Sequence, residues 1–157
     1  NGARPIRIER EHVPAAVSSN ERAYWTAQIE SAMRRVEPAW RWNGPRVPQQ
    51  KPAYRDVVVG LDGRIWVQLN TTSEPIPEAE LPPLAPDQSP DSRRTTRSRE
   101  VYDVYTPSGA LIGRVVLPWR TSLSTSAGDL VWGTATDSLD VPYAVRFRID
   151  PTLPRVP

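Results

Sequence analysis

The sequence predicts a mainly β fold of antiparallel meanders carrying one amphipathic helix, and three observations predict it. First, two strand-turn-strand units share one grammar. Asp56 to Val67 and Tyr102 to Leu117 each set a short turn, ending in Gly63 or Gly109, between runs rich in Val, Ile, Leu and aromatic residues, which is how a hairpin is written. Second, 18 of the 157 residues are Pro, against a usual share of roughly one in twenty, so much of the chain must be extended or irregular. Third, a helical period appears in a single segment.

Residues 1–17 read as a strand and linker. Pro5-Ile6-Arg7-Ile8-Glu9-Arg10 alternates apolar and charged side chains, and period two places Ile6 and Ile8 together. Residues 18–37 read as the helix. Ser18 stands where a cap belongs and Glu21 three positions on, as a capping box requires. Trp25, Ile29, Ala32, Met33 and Val36 follow at spacings of three and four and share one face, until Pro38 ends the element.

Residues 38–53 form a Pro/Trp loop, because Pro45, Pro48 and Pro52 deny a ladder its donors. Residues 54–117 read as a four-stranded unit. Its first hairpin turns at Leu61-Asp62-Gly63, its second runs from Arg99 to Leu117, and between them 70–98 is a Pro/Arg-rich surface insertion without apolar period. Residues 118–150 give a three-stranded unit: a run at Thr121 to Ser124, a turn at Ala127-Gly128-Asp129, a strand at Leu130 to Thr136, a turn over 137–142, and a last strand from Tyr143 to Ile149. Residues 151–157 are a tail broken by Pro151, Pro154 and Pro157.

Net charge is only +2, so bulk charge carries no nucleic-acid or membrane signal, and no apolar run approaches the roughly 20 residues of a membrane span. Nearly all basic residues are Arg. The single Lys, Lys51, is read as the remainder of that compositional bias and is given no functional weight. The absence of Cys removes disulfides, thiolate metal sites and Cys nucleophiles together. The N-terminus, Asn1-Gly2-Ala3, is neither a start Met nor a charged-then-apolar leader, so the chain reads as a processed or truncated piece.

The candidate site residues each have a plain structural reading beside the chemical one. His12 is the only histidine, and among Glu9, Arg10 and Glu11 it reads as solvent-facing rather than catalytic. No catalytic residue and no metal site is expected. Asp129, Asp137 and Asp140 offer oxygen ligands for calcium but lack the alternating spacing of a calcium loop, and turns explain them better. Arg93, Arg94, Arg97 and Arg99 would grip phosphate or a partner through bidentate forks. They belong to a Pro-rich excursion without interleaved aromatics, so a solvated loop is the favoured reading and nucleic acid is not the expected partner. Trp40, Trp42 and Trp119 lie in loops, where they would line a ligand groove or plug the ends of the sheets. Trp66 and Trp132 lie in strands and are assigned to the core.

Taken in order, Lys51-Pro52-Ala53-Tyr54-Arg55-Asp56, Leu61 to Val67, Tyr102 to Tyr105 with Gly109 and Gly113, and Asp137-Ser138-Leu139-Asp140-Val141-Pro142-Tyr143 resemble the C-terminal end of bacterial six-bladed β-propeller proteins of the NHL-like kind. The resemblance implies that Tyr54 to Leu117 is one blade interrupted by the insertion and that 118–150 is part of the closing blade. It also makes Ile6 to Ile8 the outer strand of a preceding blade and the helix an insertion beside it. About two blades cannot close a propeller, so the implied partners are the remaining blades, another protein completing the sheet edges, or a second copy. The implied role is a recognition or assembly scaffold without catalysis, in an exported or envelope-associated bacterial protein. The competing implication is a lactonase-like hydrolase with a metal in the central channel.

Overall fold

Two turns of the same construction build the larger sheet. Strand β1 (Tyr54–Val59) returns as β2 (Ile65–Leu69) through a turn in which Gly60 N donates to Arg64 O and Gly63 N to Gly60 O. Strand β5 (Val101–Tyr105) returns as β6 (Leu111–Val116) through Thr106 N to Ala110 O and Gly109 N to Thr106 O. Gly63 and Gly109 have φ of 79° and 90°, a left-handed backbone that glycine adopts without a Cβ penalty. The sheet is antiparallel in the order β1-β2-β5-β6.

The computed structural model describes residues 5–81, 83–84 and 89–150. They fall into two units: the described parts of Asn1–Val13, Ala53–Asn70 and Arg99–Pro157, and the segments Pro14–Pro52 and Thr71–Ser98. The tail at 151–157, like Pro82 and Pro86 of the insertion, lies outside the described residues.

In the first unit β7 (Thr121–Ala127), β8 (Leu130–Thr136) and β9 (Pro142–Arg148) form a second antiparallel meander. Its last turn repeats the hydrogen bonds of the other two: Asp137 N donates to Val141 O and Asp140 N to Asp137 O. Asp140, at φ 62°, stands where those turns have glycine. The mainly β, antiparallel class with one helix is the fold observed.

Register decides which face of the larger sheet does what. The rows Val58–Trp66–Val104 and Gln68–Tyr102–Val115 share one face, where Trp66, Tyr102 and Val104 form a core with Leu117 and Val131, flanked by Leu123 and Phe147 of the smaller sheet and by Ile149 just beyond it. Trp66 is fully buried, whereas Trp132, assigned to the core by sequence, is half-buried. The opposite face carries Val57–Val67–Asp103–Arg114. Strand β5 is buried at every residue because it is central and both its faces are covered.

The segment expected to be a strand at Ile6 to Ile8 forms no ladder; residues 5–15 carry no strand assignment. Its period-two pattern is used differently. Ile6 and Ile8 lie where a Cβ on Gly109 would meet them at 3.0 and 3.2 Å, Arg10 reaches Asp103, and the intervening Arg7 and Glu9 pair in solvent. The alternation serves a chain laid against a sheet rather than one paired at an edge.

In the second unit α1 (Ser19–Val36) starts with the capping box at Ser18 and Glu21. Its stripe of Trp25, Ile29, Met33 and Val36 is exposed, while Gln28 donates to Ser92 O at 3.2 Å. The insertion at 70–98 is more ordered than its composition suggests. It holds a ribbon of β3 (Glu74–Pro75) and β4 (Thr96–Arg97) and single 3-10 turns at Glu78–Glu80 and Pro90–Ser92.

Candidate ligand pocket on the larger sheet

The face of the larger sheet that bears Asp103 carries a pocket of about 260 Å³. Val57 of β1 and Val67 and Leu69 of β2 supply an apolar floor, extended by Ala53, Tyr54 and Ile8. Asp103, Tyr105 and Arg114 supply its polar end, and Arg10, Glu11 and His12 of the N-terminal segment line it as well. Cross-strand pairing creates this gradient, since Val57, Val67, Asp103 and Arg114 are successive partners in one row.

Asp103 is the pivot. Its side chain is 2% exposed, and a buried carboxylate must be paired. Arg10 Nη1 donates to Oδ2 at 2.5 Å, while Arg114 donates through Nε to Oδ1 at 2.8 Å and through Nη2 to Oδ2 at 3.3 Å. The hydrogen bond to Asp103 raises the Arg114 pKa, against the opposing effect of burial. Two guanidinium groups thus converge on one carboxylate, and three of their N–H groups are engaged by it.

A second polar cluster lies in the helical unit. Lys51 Nζ sits 2.8 Å from Glu21 Oε1 and donates to Thr71 O at 2.8 Å, Ser73 Oγ at 2.9 Å and Ser98 Oγ at 3.1 Å. Ser73 Oγ in turn donates to Glu21 Oε1 at 2.6 Å. This differs from a Ser-Lys nucleophile pair, in which the amine takes the hydroxyl proton: here the carboxylate accepts that proton's hydrogen bond and the ammonium is encircled by oxygens. Burial pushes the Glu21 carboxyl up, but hydrogen bonds from Lys51, Ser73 and Ser18 N–H and the charge of Lys51 outweigh it and hold it below the usual range. The cluster fastens both ends of the insertion to the start of α1.

The residues singled out by sequence are distributed between the units. Trp40 and Trp42 stack edge to face at 5.9 Å, with Arg46 over Trp42 and the Trp42 indole N–H donating to Gly44 O. Trp119 belongs to the other unit, where Arg99 lies over its ring at 5.2 Å. Of the arginine run, Arg97 pairs with Glu80 and Arg94 donates to Thr96 O, within the insertion; Arg93 is half-buried there. His12 is exposed, on the pocket wall. Asp137 Oδ1 accepts from Leu139 N and Val141 N as a turn residue, while Asp129 pairs with Arg148 and Asp140 with Arg120. No group of three or more His, Cys, Asp or Glu side chains suited to a metal occurs among the described residues.

Sequence reasoning missed Arg10, Asp103 and Arg114. The available signal was a charged residue at the centre of Val101-Tyr102-Asp103-Val104-Tyr105, since an Asp inside a β-rich run demands a cationic partner when that strand is central. Compared with protein families, with curated proteins and with solved structures, the chain matches none.

Proposed function

We propose that the β-rich unit is a pair of neighbouring blades of a propeller-type scaffold whose role is recognition rather than catalysis. The observation that supports this most is repetition. Three hairpins, at 60–64, 106–110 and 137–141, use the same pair of turn hydrogen bonds, in two consecutive antiparallel meanders that share one core. Repetition of one supersecondary unit around shared packing is the logic of blade arrays, in which each sheet buries its face only against a neighbour. The resemblance of the turn sequences to NHL-like propellers points the same way.

In this reading the partner is a further set of blades, supplied by another polypeptide or a second copy. The strands at the sheet margins, β1, β6, β7 and β9, keep one side without a ladder partner among the described residues, and such edges invite pairing. Light scattering combined with amide hydrogen exchange tests the proposal. The expected result is concentration-dependent association with protection gained on marginal strands. A monomer at every concentration whose marginal amides are as protected as those of β5 overturns it, and turnover of a lactone or ester by the purified protein would replace it with a hydrolytic role.

A further inference from the structure

We propose that the pocket beside Asp103 binds a small organic anion with an apolar body, of the alkyl or aryl carboxylate class. This deepens the recognition role proposed above and rests on it for the expectation that the scaffold holds a ligand.

The pocket is two-ended. Val57, Val67 and Leu69 offer hydrocarbon, and Val57 is 48% exposed although it faces the same side as buried Asp103. Covering that surface is favourable in proportion to the apolar area removed from water. At the other end the donors exceed the acceptors. Arg10 and Arg114 carry two positive charges against the single charge of Asp103, which engages three of their N–H groups and leaves the remainder of two guanidinium forks in a partly covered site.

Glu11 also lines the pocket. It continues, however, the alternate set that begins with solvent-paired Arg7 and Glu9, while Ile6, Ile8 and Arg10 make the contacts on the sheet. Like Glu11, Arg10 is exposed, but Asp103 fixes it and Arg114 at the pocket, whereas Glu11 makes no ion pair with either among the described residues, so the fixed charge beside the floor is that of one carboxylate and two arginines. A carboxylate beside them gains charge-assisted hydrogen bonds, and its hydrocarbon lies on the valine row. A cationic amphiphile would meet two guanidinium groups, and an alcohol would forgo the charge.

Methyl NMR of the intact chain tests this with octanoate, octanol and octylammonium as probes. Octanoate is expected to shift the methyl signals of Val57, Val67 and Leu69 saturably, with an affinity about tenfold or more above that of octanol, the worth of one charge-assisted bond, and octylammonium is expected to bind more weakly than either. Arg10→Gln, which leaves Arg114 bidentate on Asp103, should bring octanoate close to octanol. Equal binding of octanoate and octanol to the unsubstituted chain, shifts confined to other methyl groups, or no saturable shift overturns the proposal. The assembly measurement above does not depend on octanoate, so the scaffold reading and the ligand assignment fail separately.

Discussion

Lys51 Nζ and Glu21 Oε1 lie 2.8 Å apart, with side chains only 13% and 9% exposed, and this pair joins the start of α1 to both ends of the insertion. An ammonium fits because its donors radiate from one atom and reach Thr71 O, Ser73 Oγ and Ser98 Oγ together. Removing one partner of a buried pair strands the other charge. Lys51→Met is therefore expected to cost about 3 kcal/mol or more, read as faster amide exchange across α1 and the β3–β4 ribbon. Lys51→Arg should fail to restore it, since a planar fork cannot place its donors around one point. Adding Glu21→Gln to Lys51→Met should recover part of the loss.

The same pair sets an acid limit. The Glu21 carboxyl is held below its usual range in the folded chain, so folding favours its ionised form. The stabilisation is complete above the unfolded value, about 4.3, and is lost as pH falls through the folded value. Protection of α1 amides should drop as pH falls below about 4.3. In Glu21→Gln the protection should be lower at neutral pH and flatter across that window.

The two sheets of the β-rich unit touch closely at Gly60. Leu61 N donates to Ser126 O at 2.7 Å, Gly128 N to Asp62 Oδ2 at 2.8 Å and Arg64 Nη1 to Gly128 O at 2.7 Å. A Cβ on Gly60 would stand 2.3 Å from Ser126 Oγ. That hydroxyl is buried without a hydrogen-bond partner among the described residues, a costly arrangement. Ser126→Ala is expected to stabilise by up to about 1 to 2 kcal/mol. Gly60→Ala should destabilise in the natural chain and less so beside Ser126→Ala, because the nearest clash is gone while Asp62 Oδ1 and Ser126 O stay at 2.9 and 3.0 Å. Urea unfolding of the four variants measures both effects.

Asp140 occupies the left-handed position that Gly63 and Gly109 hold in the matching turns. A residue with a Cβ pays about 1 kcal/mol there. Asp140→Gly should raise the unfolding free energy, measured by urea titration, by roughly that amount, less the small contribution of the exposed Arg120–Asp140 pair.

What was legible in the sequence was local. Turn chemistry at Gly63 and Gly109 and the capping box at Ser18 and Glu21 are set by neighbours a few residues apart. The pocket was hidden because Arg10 meets Asp103 across 93 positions, and no spacing rule encodes that distance. Lys51 looked like a remnant of an Arg-rich composition, since its partners Glu21, Ser73 and Ser98 come from three separate segments. Ile6 and Ile8 show why period two underdetermines structure: alternation fixes which side chains share a face, whereas a ladder needs an edge positioned to receive it.

Tyr102 predicts behaviour at the alkaline end. Burial, then the charge of Glu100, push its phenol up to about 12, and its ring lies edge to face on Trp66 at 6.1 Å in the core. The folded chain thus holds the Tyr102 proton more tightly than the unfolded chain, whose tyrosines titrate near about 10. The sign follows: this contribution is fully present below about pH 10 and is lost as pH rises toward about 12. Phenolate absorbance should show one tyrosine titrating late, together with unfolding of the β-rich unit. Tyr102→Phe should remove that late step and make stability less steep in the same window, and an unchanged titration in the variant would assign the shifted phenol to another tyrosine.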